Sequence, residues 1–247
     1  MSIELEFIAR VRSPYLEKFG IPRQPGLASG LHSRIELLGE YAQADCLQGL
    51  EQCSHIWLQF VFHDSLETRW RPKVRPPRLG GNKGMGVFAT RSPVRPNPIG
   101  LSIAKIERID TEHVAIDVSG LDLLDGTPIL DIKPYVPYVD MQGEAVNQFA
   151  EEAPSALNVV FENGAREFCS LWDTRQTSVL GLSELITQVL AQDPRPAYQK
   201  GKSGAREYGM TLRPDLSGPV LNIRWVYIST ETGLESLTVI SIAEVRV

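Results

Sequence analysis

The 247-residue sequence is poor in the marks that assign a function at a glance. It has three cysteines, Cys46, Cys53 and Cys169, an odd number with no pair at two-residue spacing. That spacing excludes a zinc knuckle or a Cys-x-x-Cys redox motif, and predicts buried free thiols in a reducing cytoplasm. The four histidines, His32, His55, His63 and His113, are scattered, with no H-E-x-x-H, so no metal site is expected. No apolar run approaches the roughly 20 residues that span a bilayer. The opening MSIELEFIARV carries acids where a signal peptide would carry Lys or Arg. A cytoplasmic protein without membrane contact is expected. There is no G-x-S-x-G nucleophile elbow, which disfavours a serine hydrolase. LGGNKGMG (Leu79–Gly86) lacks the spacing of a dinucleotide-binding turn. GKSG (Gly201–Gly204) lacks the glycine five residues earlier that a phosphate loop needs, because Pro196 stands there.

What is present is a core-forming composition, 43% hydrophobic against 22% charged, which argues against disorder. ELEFIARV (Glu4–Val11) alternates like a half-buried strand. SHIWLQFVFHD (Ser54–Asp64), LSIAKIERI, HVAIDVSGL and TPILDIKPYVP read as further strands, two of them joined by a turn at Asp110–Thr111. Between the first two lies a long Pro-, Gly- and Ser-containing loop, SPYLEKFGIPRQPGLASGLHS. Short alternating strands without a βαβ repeat favour a barrel or sandwich over a doubly wound sheet. Asp140–Asn158 reads as a polar linker. Beyond it, AREFCSLWD and LSELITQVLAQ have helical spacing, the second with Ser183 as its N-cap. REYGMTL, VLNIRWVYIS and SLTVISIAEVRV then read as strands. The expectation is a mainly β domain over residues 1–145 and a small α+β domain over 158–247.

Charge is unevenly spread. The net charge is −5, yet Arg69, Arg71, Lys73, Arg75, Arg78, Lys83, Arg91, Arg95 and Lys105 form a stretch without an acid. Such a field attracts polyanions, and Trp70 within it could stack a base. The plainer alternative is a solvated, proline-stiffened loop. A second cationic cluster holds Arg195, Lys200, Lys202 and Arg206 around Tyr198. In GVFATRSPVRPNPIGLS (Gly86–Ser102), Pro93, Pro96 and Pro98 fix φ and push the residues before them towards extended geometry. Extension would place Arg95 and Asn97 on one side of the chain. SGLDLLDGTPILD supplies Asp122, Asp125 and Asp131, either as ordinary turn carboxylates or as acceptors for ligand hydroxyls. His63 and Asp64 end an apolar strand, where open β folds place working groups.

GVFATRSPVRPNPIGLS, LDLLDGTPILDIKPYVPYVD, IPRQPGL and DPRPAYQ together resemble the TrmO (YaeB/TsaA-like) family of S-adenosylmethionine-dependent tRNA methyltransferases. The resemblance implies a β-barrel methyltransferase domain, unlike the Rossmann type, and a homodimer. It implies methylation of N6 of N6-threonylcarbamoyladenosine beside the anticodon of threonine tRNA. Carried over by motif, S-adenosylmethionine would meet Gln24, Pro25, Gly26, His63, Asp64, Arg91, Leu101, Asp122, Leu123, Leu124 and Asp125. Arg95, Asn97 and Asp131 are the candidates for orienting the substrate and handling its proton. Arg69, Arg71, Lys73, Arg75, Arg195, Tyr198, Lys200 and Lys202 are the candidates for holding tRNA. The rival expectation is a non-catalytic RNA-binding module, which would not bind the cofactor.

Overall fold

The computed structural model describes residues 4–76, 84–153, 155–175, 180–195, 199, 206–229 and 235–245. The first half contains β1 (Ala9–Arg12), β2 (His32–Leu37), β3 (His55–Val61), β4 (Lys73–Val74), β5 (Met85–Gly86), β6 (Ile99–Asp110), β7 (Ala115–Ser119) and β8 (Pro128–Pro134). Six of these close into a barrel in the order β1-β2-β7-β6-β3-β8, with β8 returning to β1. Every neighbouring pair is antiparallel. Closure leaves no barrel strand with an unpaired edge. The expected mainly β barrel, with no doubly wound sheet, is therefore what the chain forms.

Alternation explains the closure. In β3, Ile56, Leu58 and Phe60 point inward and are buried, while the residues between them are half-exposed. They meet Ile35, Ile116, Val118 and Ile129 from other strands. Phe60 pairs with Gly100 across β3 and β6, and its ring lies where a Cβ on Gly100 would stand, 2.1 Å away. Only glycine admits the ring there. Outside the barrel, Arg34 of β2 bridges Asp110 at 2.5 Å and Asp117 at 2.7 Å, tying β2 to β6 and β7. This arginine and the His113 backbone hold the Asp110 carboxyl well below the usual carboxylate range.

α1 (Pro137–Asp140) ends the first half. The second half contains β9 (Asn158–Phe161), α2 (Asn163–Asp173), α3 (Leu182–Leu190), β10 (Glu207–Leu212), β11 (Val220–Ser229) and β12 (Glu235–Val245). The sheet order is β10-β11-β12-β9, with β9 parallel to β12 and the other pairs antiparallel. Buried faces of α2 and α3 pack on Trp225, Leu237 and Val239. Four strands were not anticipated: the two-residue β4 and β5, β9, which starts at the last residue of the stretch read as linker, and β2, which carries Ser33 at an inward position where an apolar residue would have signalled a strand. The N-cap of α3 is Gly181, not Ser183; Asp173 at the end of α2 accepts the Leu182 N–H at 2.8 Å and does the capping from a distance.

The loop between β1 and β2 joins the two halves. Tyr15, Ala28 and Leu31 are buried in the second core, with Phe19 and Ile21 packed against it. Phe19 stacks on Trp225 with ring centroids 5.9 Å apart. Gly20 has φ +93°, and a Cβ there would meet Met210 Cε at 2.6 Å. Backbone hydrogen bonds reinforce the joint: Arg213 N donates to Pro14 O at 2.9 Å, and Tyr15 bridges Leu212 of β10.

Among the described residues no helix is long and apolar enough to cross a membrane, and no group of three metal-ligating side chains converges. Cys169 is buried, and burial together with Asp173 pushes its thiol up to about 11. Cys46 departs from the expected burial; it lies exposed on a 3-10 turn, Ala44–Leu47, whose inward residue is Leu47.

Candidate active site

Three segments meet beside the barrel: the β1–β2 loop, β6, and the β7–β8 loop. Gly120 and Gly26, both at positive φ, bring two of them together, with Gly26 N donating to Gly120 O at 2.7 Å. A Cβ on Gly120 would stand 3.3 Å from the Gly26 Cα, so the approach requires glycine. This contact sets Gln24 and Pro25 next to the Asp122 segment.

Asp122 is the electrostatic centre. Its carboxylate accepts from Ser102 Oγ of β6 at 2.5 Å. Burial raises its affinity for a proton, while the Ser102 bond and the nearby Arg91 charge pull the other way; the net direction is upward. Arg91 donates to the Gln24 side-chain oxygen, which ties the proline-rich loop to the β1–β2 loop. Tyr15 lies on the inner side. Its ring is buried, its hydroxyl has no partner among the described residues, and the Asp122 charge together with burial drives its ionisation far above the usual range. The phenol stays protonated at neutral pH.

Ser13 fastens this cluster. Its N–H donates to Asp125 Oδ1 at 2.8 Å and its hydroxyl to Leu123 O at 2.6 Å. Asp125 N in turn donates to Tyr15 O at 2.8 Å. One oxygen of Asp125 thus holds the chain. Lys18 reaches Asp64 twice, at the carboxylate and at the carbonyl, both at 2.7 Å, which draws the 3-10 turn after β3 to the same loop. That pairing lowers the Asp64 pKa.

The motif residues thus fall into groups. Gln24, Pro25, Gly26, Arg91 and Asp122 converge, and Asp64 is joined to them through Lys18, with His63 beside it. Leu101 shows its side chain to solvent, 56% exposed, on the opposite face of β6 from Ser102. Leu123 keeps its side chain in the barrel core and gives its carbonyl to the Ser13 hydroxyl. The Leu124 carbonyl is engaged by Thr127 Oγ1 at 2.6 Å.

The proline-rich loop departs from the extended run anticipated for it: residues 93–97 form successive bends. Fixed φ at the prolines leaves ψ free, and Ser92 Oγ accepts the Val94 N–H at 3.3 Å, turning the chain. Arg95 folds back to donate to Thr90 O at 3.3 Å, while Asn97 is exposed. Asp131 sits on β8, pairs with Lys133, and has no bond to the Asp122 cluster.

Arg69, Arg71, Lys73 and Arg75 are all exposed, and no carboxylate pairs with them among the described residues. Trp70 among them is 46% exposed. The ribbon of β4 and β5 is held to the next turn by Val87 N donating to Pro72 O at 3.0 Å, four residues before Arg91. Arg195 is a correction. It is 2% exposed, paired with Asp193 at 2.9 Å and with Glu235, and lies 3.8 Å from the Tyr227 ring centre. A guanidinium so enclosed does not present itself to a polyanion. Its backbone carbonyl accepts from Arg23 Nη2 at 3.4 Å, beside Gln24. Tyr198, Lys200 and Lys202 lie outside the described residues.

Ser102 and Tyr15 were missed as site residues. A serine at an inward position of β6, between Gly100 and Ala104, was the available signal for the first. Tyr15 carried no comparable signal, since its loop reads only as turn-rich.

The chain forms a closed antiparallel β-barrel protein outside the doubly wound class, with a half-buried carboxylate, an arginine at its rim and an adjoining cationic ribbon unpaired among the described residues. The chain belongs to the TrmO family. Residues 10–141 match the tRNA-methyltransferase O N-terminal domain and residues 154–244 the TrmO C-terminal domain. It is 44% identical over 236 residues to the tRNA (adenine(37)-N6)-methyltransferase of Escherichia coli K12, covering 95% of this chain and 96% of that protein. It is 48% identical over 220 residues to a putative S-adenosylmethionine-dependent methyltransferase of Pseudomonas aeruginosa PAO1, covering 89% of this chain and 90% of that one. The crystal structure of TrmO from Pseudomonas aeruginosa superposes with a TM-score of 0.77 at 37% identity, covering 98% of this chain and 99% of that chain.

Proposed function

We propose that this chain methylates N6 of N6-threonylcarbamoyladenosine next to the anticodon of threonine tRNA, with S-adenosylmethionine as donor, as a cytoplasmic homodimer. The coarser statement, a tRNA (adenine37-N6)-methyltransferase dependent on S-adenosylmethionine, rests on the family and on relatives of that name across the whole chain. The observation that carries the reading is the half-buried Asp122, bonded to buried Ser102, near Arg91 and Gln24 and below a cationic ribbon unpaired among the described residues.

The residues fit the donor. Asp122 takes the Ser102 hydroxyl on Oδ1 and meets no other side-chain donor among the described residues, so Oδ2 can take a ribose hydroxyl, and Arg91 can pair a methionyl carboxylate. Its sulfonium supplies an electrophilic methyl group. Catalysis would then rest on alignment of that methyl with the acceptor nitrogen by the residues that hold the two substrates. Asn97, exposed on the proline-rich loop, and Arg95, which would have to leave Thr90 O, are the candidates for orienting the modified base. Asp131 is the only one of the three candidates whose side chain can accept the nitrogen's proton, and its carboxylate is paired with Lys133. Ile99 and Leu101, both exposed on one face of β6, support self-association. Arg206, exposed and 5.3 Å from the Tyr208 ring centre, replaces Arg195 as the second half's candidate RNA contact.

Incubation with methyl-labelled S-adenosylmethionine and threonine tRNA, with and without the threonylcarbamoyl group, tests the reading. Label should appear only on the modified tRNA. Transfer independent of that group sinks the substrate, and transfer to neither sinks the enzyme. For the ribbon, replacing Arg71, Lys73 and Arg75 by Gln should weaken tRNA binding and flatten its salt dependence. Each lost phosphate contact lowers the log–log slope by roughly 0.7–0.9, so a change of about 2 is expected. An unaltered slope in filter-binding titrations would remove the ribbon from the interface.

A further inference from the structure

We propose that the Tyr15 hydroxyl is a direct hydrogen-bond donor to the ribosyl part of the bound nucleoside, sharing one ligand hydroxyl with Asp122. This rests on the reading of the site as a place for S-adenosylmethionine. Tyr15 is 1% exposed, yet its hydroxyl meets no partner among the described residues. Leaving a buried donor unsatisfied is destabilising, and phenylalanine would avoid that cost in the same space. The Asp122 carboxylate is near enough to act on the phenol electrostatically, and it accepts from Ser102 through only one of its oxygens. A hydroxyl both accepts and donates, so a single ligand hydroxyl between the two satisfies the phenol and the carboxylate together.

The backbone keeps the pair in place. Tyr15 N donates to Ser13 Oγ at 3.2 Å, and that same hydroxyl donates to Leu123 O, next to Asp122. The Asp125 N–H closes the loop on Tyr15 O. On the other side Tyr15 bridges Leu212 and its ring is buried with the second core. The second half of the chain thereby sets the position of a donor in the first half's site. That is a role for the second half beyond RNA capture.

Calorimetric titration of Tyr15→Phe and the parent protein with S-adenosylmethionine and with S-adenosylhomocysteine is the test. The variant should bind both about tenfold more weakly, which is about 1.4 kcal/mol. Its melting temperature without ligand should be equal to or above the parent's, because the orphan hydroxyl is gone. Equal affinity in variant and parent overturns the proposal and leaves the methyltransferase reading intact. A parent protein that binds neither compound overturns the reading itself. Should Y15F fail to fold, 3-fluorotyrosine placed at position 15 gives a second readout. Its fluorine resonance should shift on addition of S-adenosylhomocysteine, and an unmoved resonance at saturation overturns the proposal.

Discussion

Asp122→Asn should raise the melting temperature of the ligand-free protein near neutral pH and, in the same protein, weaken S-adenosylmethionine binding by about 10- to 100-fold. Burial raises the folded-state pKa of Asp122 above its unfolded value. A carboxyl shifted upward stabilises the fold fully below its unfolded pKa, and that contribution disappears as pH rises through the folded pKa. Above the folded-state pKa the free protein therefore carries a charge that its surroundings disfavour. Asparagine keeps an oxygen for the Ser102 hydroxyl and has no charge to desolvate. The melting-temperature gap between variant and parent should close as pH falls below the ordinary carboxylate range, where both side chains are neutral. The binding loss has the size of a hydrogen bond to a charged group, about 1.5–3 kcal/mol. Scanning fluorimetry from pH 4 to pH 8, with calorimetry at pH 7, reads both quantities. A variant less stable than the parent at every pH, or one with unchanged affinity, would remove Asp122 from the centre of the site. The opposed signs are what a site strained for binding predicts.

Arg195→Ala should be the most destabilising single truncation in the second half. The guanidinium is enclosed between Asp193, Glu235 and the Tyr227 ring. Burial by itself would ease its deprotonation, but the two carboxylates outweigh that and hold it cationic. Removing one member of such a buried network costs about 3–5 kcal/mol, because the remaining charges stay desolvated. For a chain of this size that is about 6–20 °C in melting temperature. Arg195→Lys should recover only part of it, since an ammonium cannot pair both Asp193 and Glu235 in the planar fork or lie flat on Tyr227. The salt dependence of tRNA binding should be the same in Arg195→Lys and the parent. A changed slope with an unchanged melting temperature would return Arg195 to the RNA-facing cations.

The same two residues show how far the sequence could be read. Asp122 stood in a motif long enough to be recognised, so its membership of the site was legible. That it bonds Ser102 was not, because the two are 20 residues apart and meet only when β6 and the β7–β8 loop adjoin. Arg195 belonged to a visible cationic cluster, and charge alone suggested solvent. Its carboxylate Glu235 is 40 residues away, across the sheet, and only pairing of that kind buries a guanidinium. The proline-rich loop teaches the same lesson locally. Its prolines constrain φ alone, and the bend came from Ser92 and from Arg95 reaching Thr90.

The barrel strands β3, β6, β7 and β8 were readable because alternation of apolar and polar side chains is a local property of a strand with one buried face. β2 and β9 were not, because they owe their conformation to neighbours rather than to their own composition. By itself the sequence determined the family, the β-rich first half, the α+β second half and the uneven charge, all of which reside in runs of adjacent residues. Only the tertiary structure decided that the β1–β2 loop completes the second core, that the buried Tyr15 hydroxyl meets no partner among the described residues, and that Arg195 is internal. Each of these depends on the desolvation of a group by residues distant in the chain, and no local pattern encodes which distant residues will exclude the water.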